Sequence, residues 1–174
     1  MTFSCYVGGS SREVERVQRV QRAVEALGGV ITADWTPSIA AEIARGVPEH
    51  ELLDHEAAEI AEFDAEGVFS AQVLLFCVPT KPNTTQGGWW ELGFACGIVR
   101  VWQYLEGMES LATRVLRPKP HVVCSGPDVR RSLFTRWRDT AAFESDVDAI
   151  EYLAVTMHCG EQAVACAKQI LGVS

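Results

Sequence analysis

Apolar positions along the chain switch between two periods, and the switching predicts an ordered series of short strands and longer helices. Phe3 to Val7 is a compact apolar run closed by Gly8-Gly9, the form of a buried strand. Ser10, with Glu13 three residues later, has the form of a capping box that opens a helix. Val14, Val17, Val20, Val24 and Leu27 then recur at spacings of three and four, so they share one helix face, with Arg and Glu on the other. Gly28-Gly29 stops that helix, and Val30-Ile31-Thr32 predicts a second short strand. A loop or short helix runs from Pro37 to Gly46, and Pro48 opens a longer helix that reaches about Ala65 and has Asp64 near its end.

Val73 to Val78 is uninterrupted apolar sequence between turn residues, the pattern of a strand covered on both faces. A loop from Pro79 to Gly88 leads to a helix beginning at Trp89, with Leu92, Ala95, Val99 and Trp102 along one side and an end by Gly107. His121 to Cys124 predicts a fourth buried strand, closed by Ser125-Gly126-Pro127, and Ser132 to Thr135 a short edge strand. Ser145 with Asp148 starts a helical region that extends to Leu171 and breaks at Gly160. Strands alternating with helices imply a doubly wound α/β fold: a parallel sheet of about five strands with helices on both faces. With no repeat or linker, residues 1–174 read as a single domain.

In such sheets ligands bind beyond the carboxyl ends of the strands, near the point where strand order reverses. That rule turns scattered loop residues into one site. Tyr6, Gly8, Gly9, Ser10 and Ser11 follow the first strand, Asp34 and Trp35 the second, Gly88, Trp89 and Glu91 the third, and Ser125 the fourth.

Charge and cysteine content narrow the partners. A net charge of -8 argues against a nucleic-acid polymer or an anionic membrane. No stretch approaches the apolar length of a spanning helix and no signal-peptide pattern opens the chain, so a soluble, cytoplasmic protein is expected. Six cysteines and four histidines show no metal-ligand spacing, which predicts no metal. Cys5, Cys77 and Cys124 lie within apolar runs and read as small core residues.

The chemistry centres on Glu91, which follows Gly87-Gly88-Trp89-Trp90 in what reads as the first turn of its helix. Outward-pointing N–H groups there would hold its carboxylate and keep it ionised, as a nucleophile or an electrostatic stabiliser requires. An ordinary helix-start acid that favours the dipole fits the same pattern. Asp64 reads as a solvated acid just before the third strand, and Gly8-Gly9-Ser10 as a plain tight turn or a cradle for sugar or phosphate. Among Trp35, Trp89 and Trp90, core packing and stacking on a base are both open, and Arg12 could meet a phosphate.

The order Cys5-Tyr6-Val7-Gly8-Gly9, then Asp64-Ala65-Glu66-Gly67-Val68, then Gly88-Trp89-Trp90-Glu91-Leu92-Gly93-Phe94-Ala95 resembles the nucleoside 2-deoxyribosyltransferase family. The resemblance runs from about residue 3 to residue 135 and implies a flavodoxin-like sheet. It implies that Glu91 is the nucleophile that forms a deoxyribosyl-enzyme intermediate, that Tyr6 holds its carboxylate, and that Asp64 contacts or protonates the base. It also implies a small-molecule nucleoside or nucleotide as substrate, no cofactor, and a homo-oligomer whose neighbouring subunit completes each site. Ser132 stands where the family's contributed Asn is expected, and Thr85 where it commonly has a second base-contacting Asp. Transfer to a second base, hydrolysis, and action on a deoxynucleoside or its monophosphate all fit. Cleavage of NAD or another nucleotide, or a non-catalytic nucleotide-binding module, are the alternatives.

Overall fold

The structure is a computed structural model and describes residues 2–45, 54–80, 87–106, 119–132 and 134–173. Its centre is a five-stranded sheet, formed by β1 (Phe3–Gly8), β2 (Gly29–Ile31), β3 (Val73–Cys77), β4 (His121–Ser125) and β5 (Thr140–Phe143). The spatial order is β2-β1-β3-β4-β5, and every neighbouring pair is parallel. This is the flavodoxin-like order of a doubly wound sheet, and its direction reverses between β1 and β3.

Among the described residues six α-helices surround the sheet: α1 (Val14–Ala26), α2 (Thr36–Arg45), α3 (Asp54–Ser70), α4 (Gly87–Glu106), α5 (Asp146–Thr156) and α6 (Glu161–Ile170). Parallel strands need such crossovers, because a tight hairpin cannot return the chain to the same end of the sheet. α1 packs against α5 and α6, and α3 packs against α4. Both sheet faces are thereby covered, which is why β3 is buried at all five positions. Val17, Val20, Val24 and Leu27 are buried, as the spacing of α1 predicts, and Cys5, Cys77 and Cys124 are buried free thiols. Burial pushes the Cys77 thiol up to about 12, so it behaves as core rather than as a nucleophile. Among the described residues no helix is long and apolar enough to cross a membrane.

Several sequence expectations are corrected. The fifth strand is Thr140–Phe143, whereas the segment around Ser132 to Thr135 contains short 3-10 turns at Val129–Arg131 and Phe134–Arg136. The Thr135 hydroxyl donates to the carbonyls of Val129 and Ser132 and closes those turns instead of leaving an extended edge. Ser10 does cap the first helical segment, yet its Oγ accepts from the Arg12 N–H, and the Glu13 carboxylate accepts from Thr80 rather than reaching back. α3 continues to Ser70 and places Asp64 well inside a helix. At the C-terminus Ser145 caps α5 by accepting from the Asp148 N–H, and Gly160 separates α5 from α6, both as expected. The expected helix start at Pro48, the loop residue Thr85 and the helix end at Gly107 lie outside the described residues.

Candidate active site

Three elements bring Tyr6, Asp64 and Glu91 together beside the strand-order reversal. Tyr6 lies two residues before the end of β1 and is completely buried. α3 crosses the Tyr6 ring at Gly67, where a Cβ would stand 2.9 Å from ring atom Cδ2 and would also collide with Ala33. Only glycine permits that approach. Asp64, three residues earlier on the same helix, is thereby carried up to the phenol end of the tyrosine. From the opposite side α4 contributes Glu91, which is only 7% exposed. Its carboxylate rests on the backbone of Gly8, where a Cβ would stand 2.5 Å from Glu91 Oε2.

The cluster is open in the chemical sense. The Tyr6 hydroxyl, Asp64 Oδ1 and Glu91 Oε2 are all shielded from solvent, and none meets a partner in formed hydrogen-bond geometry. The phenol is nevertheless near enough to act on both carboxyls as a loose donor. Burial pushes Glu91 up to about 8, the nearby Asp64 charge adds to the shift, and the Tyr6 hydroxyl opposes it. Burial also raises Asp64, with Tyr6 opposing. The phenol itself is driven up by burial and by both carboxylates, so it keeps its proton. Among the described residues no basic side chain figures among the groups that set these protonation states.

Glu91 therefore differs from its sequence expectation. α4 begins at Gly87, so Glu91 opens the second turn, and the first turn contains no acid. Burial leaves the carboxyl protonated near neutral pH rather than ionised.

The remaining site candidates divide by where their polar atoms go. Trp35 is buried and its Nε1 donates to the Val7 carbonyl at 2.9 Å, so it fastens the loop after β2 to β1. Trp89 packs on Phe76 with ring centroids 5.1 Å apart. Gly9 is pressed against Val17 and Cys77, Ser10 is the buried cap of the turn before α1, and Gly88 is buried at the start of α4. Ser125 donates to Asp146 Oδ1 at 2.6 Å. Ser132 ends the 3-10 turn beyond β4, half-buried. Asp34 accepts from Gln21 and from Thr36, and Arg12 is exposed.

A second, half-buried polar cluster lies at the same sheet edge, and the sequence pattern gives no sign of it. Arg16, expected on the solvated face of α1, points inward to Asp146 at 2.9 and 2.7 Å and to Glu13 at 3.0 Å. It also donates to the carbonyls of Val78 and Ser125. Asp146 and Glu13 are both held below the usual carboxylate range despite burial. The Arg16 bonds lower Asp146, while Thr80 and then Arg16 lower Glu13. The missing signal is long-range, since Arg16 and Asp146 are 130 residues apart in sequence.

No family model, curated protein or solved structure matches the chain. What defines the site is thus its own construction: two carboxyls and a phenol gathered beside the strand-order reversal of a flavodoxin-like sheet.

Proposed function

We propose that the chain cleaves or transfers the N-glycosidic bond of a 2'-deoxynucleoside or its monophosphate, with Glu91 as the nucleophile. The observation that carries this reading is the set of three buried, unpartnered oxygens on Tyr6, Asp64 and Glu91. Buried polar groups are ordinarily satisfied, so an orphaned set at a ligand edge marks the place of a ligand. The resemblance of the Gly88 to Ala95 stretch to nucleoside 2-deoxyribosyltransferases supports the same assignment.

Two acids with raised pKa values and one phenol suit glycosyl transfer. A protein proton resides on Asp64 when substrate is bound, leaving Glu91 as the anion and Tyr6 as its hydrogen-bond donor. Glu91 attacks the anomeric carbon; the C–N bond breaks, and its electron pair leaves with the base, which takes the Asp64 proton. A glutamyl-deoxyribosyl ester remains. Attack on the ester by a second base gives transfer, and attack by water gives hydrolysis. The oligomer expected from the resemblance would bring Ser132 of the partner subunit to this edge.

Incubation with a panel of deoxynucleosides and their monophosphates, with and without an acceptor base, tests the reading. Exchanged nucleoside or free base is expected, and a slow 2-fluoro sugar analogue should leave an adduct on Glu91 detectable by mass spectrometry. Activity that survives Glu91→Ala would overturn it. Nicotinamide release from NAD in the same panel would move the assignment to NAD cleavage, and tight nucleotide binding with neither product nor adduct would make the protein a binding module.

A further inference from the structure

We propose that a cleft at the amino ends of the strands, at the opposite end of the sheet from Tyr6, Asp64 and Glu91, binds a phosphate group through Lys119, His121 and His158. The cleft encloses about 150 Å³. Phe3 opens β1, Gln72 immediately precedes β3 and His121 opens β4, so it lies where three neighbouring parallel strands begin. The end of α5 completes it with Thr156, Met157 and His158.

The charge of the lining identifies the ligand. The chain has 23 acidic residues against 15 lysines and arginines, yet among the described residues no carboxylate lines this cleft. Asp139, which Lys119 meets at 3.5 Å, is also engaged by Gln103 at 2.7 Å and by Arg138 at 3.5 Å. Lys119 therefore keeps N–H groups for another partner. Among the described residues neither imidazole ring has a hydrogen-bond or ion-pair partner. Gln72 accepts the Ser4 N–H through Oε1 at 3.0 Å, which leaves its own amide N–H groups to donate. Donors with no acid among them suit an anion, and the Lys119 charge weighs against a metal cation on the two histidines.

His158 also stands where the backbone disfavours a side chain. Its φ of 54° is in the left-handed region, where helices commonly end on glycine. The turn is fixed by the His158 N–H donating to the Val155 carbonyl at 3.2 Å and the Cys159 N–H to that of Ala154 at 2.8 Å. A side chain retained at a conformational cost beside a cleft points to a use for its ring. The Met157 N–H takes the Leu153 carbonyl and the Thr156 hydroxyl that of Tyr152, both at 2.8 Å, so the negative end of α5 is blunted where the anion sits. Burial, and then the neighbouring Lys119, hold the His121 imidazole below its ordinary range, and a bound dianion relieves the repulsion between the two bases.

Free phosphate and the phosphate end of a small monoester share this chemistry. Nuclear magnetic resonance of the isotope-labelled full chain tests the proposal: the imidazole signals are followed at fixed neutral pH while inorganic phosphate or glycerol phosphate replaces chloride at constant ionic strength. His121 and His158 should both shift saturably, with half-saturation below about 10 mM, while His55 on α3 stays still. The probe that saturates at the lower concentration tells the free ion from the monoester. Lys119→Met should raise the half-saturation concentration about tenfold. His158→Gly should raise it about threefold, while the melting temperature holds or rises because glycine accepts the left-handed turn. Shifts that grow without saturating up to about 50 mM, or variants that bind as tightly as wild type, overturn the proposal. Neither result depends on whether any nucleoside is turned over.

Discussion

Two pairs of partly or fully buried carboxylates lie at the same edge of the same sheet, and they have opposite chemistry. Glu13 and Asp146 share the guanidinium of Arg16, whose remaining N–H groups go to backbone carbonyls at the ends of β3 and β4. Both acids are held low and ionised. Among the described residues Asp64 and Glu91 share a phenol, both are raised, and each leaves an oxygen unpartnered. The first cluster is complete within the chain and ties α1, α5 and two strand ends together. The second leaves oxygens for the proposed substrate. Burial alone thus does not separate the two clusters; the Arg16 counter-charge does.

The largest effect should come from removing the open cluster's central acid. Glu91→Gln keeps the shape but loses the oxygen proposed to attack, so turnover should fall by about 10³-fold or more. Stability should hold or rise, because the amide is spared the cost of taking up a proton on folding near neutral pH. Assays for glycosidic cleavage paired with urea denaturation test both halves, and a loss of stability comparable to the loss of activity would dissolve the distinction between the clusters. The closed cluster should behave in reverse. Arg16→Met strands Asp146 and Glu13 without their cation and should destabilise the fold by about 3–5 kcal/mol.

pH separates the clusters without any substitution. Glu91 titrates at about 8 when folded, against an ordinary value of 4.5. Between those values the folded chain retains a proton that the unfolded chain has released. This group's contribution therefore falls as pH rises from about 4.5 to 8, by on the order of a few kcal/mol, and levels off above. Glu13 and Asp146 have the opposite sign: their contribution is present above the ordinary carboxylate range and is lost as pH falls through their lowered folded values. Denaturation free energies extended to acid pH should show both slopes in wild type, and Glu91→Gln should remove the share of the upper one that belongs to Glu91 while that of Asp64 remains.

The two clusters also differ in how far the sequence revealed them. The sheet was legible because Phe3 to Val7 and Val73 to Val78 are continuous apolar runs, and the helix of valines has an unambiguous period. β5 was hidden because Thr-Ala-Ala-Phe lacks the β-branched apolar run of a buried strand. The open cluster could be assembled by topology, since Tyr6 and Glu91 flank strand ends that a doubly wound sheet must bring together. Asp64 depended on family resemblance, because nothing local says that Gly67 will bring α3 down onto Tyr6. Glu91's protonation was misread for a related reason: position along a helix is local, but desolvation is set by the whole fold. Arg16 was invisible, since a basic residue on an amphipathic helix looks solvated until its distant acid is known.

Close packing against the open cluster offers a finer test. Gly8→Ala would place a methyl 2.5 Å from Glu91 Oε2. The carboxylate must shift, so turnover should drop by about 10–100-fold while stability falls by about 1–3 kcal/mol. A variant with full activity would show that the carboxylate works from some other position.

The smallest effect should appear at the rim of the closed cluster. Glu13 Oε1 accepts from both the backbone N–H and the hydroxyl of Thr80, and Arg16 holds the other oxygen. Thr80→Val removes one donor and leaves the backbone donor and the guanidinium in place. Because Thr80 is exposed, water can take the place of the lost hydroxyl. The cost should be about 0.5–1 kcal/mol in urea denaturation, with Glu13 still ionised at neutral pH. A redundant network tolerates the loss of a peripheral donor, whereas the open cluster has no spare partner to lose. A cost several times larger would mean that the Glu13 carboxylate depends on the hydroxyl itself, and that the network around Arg16 is less closed than its bonds indicate.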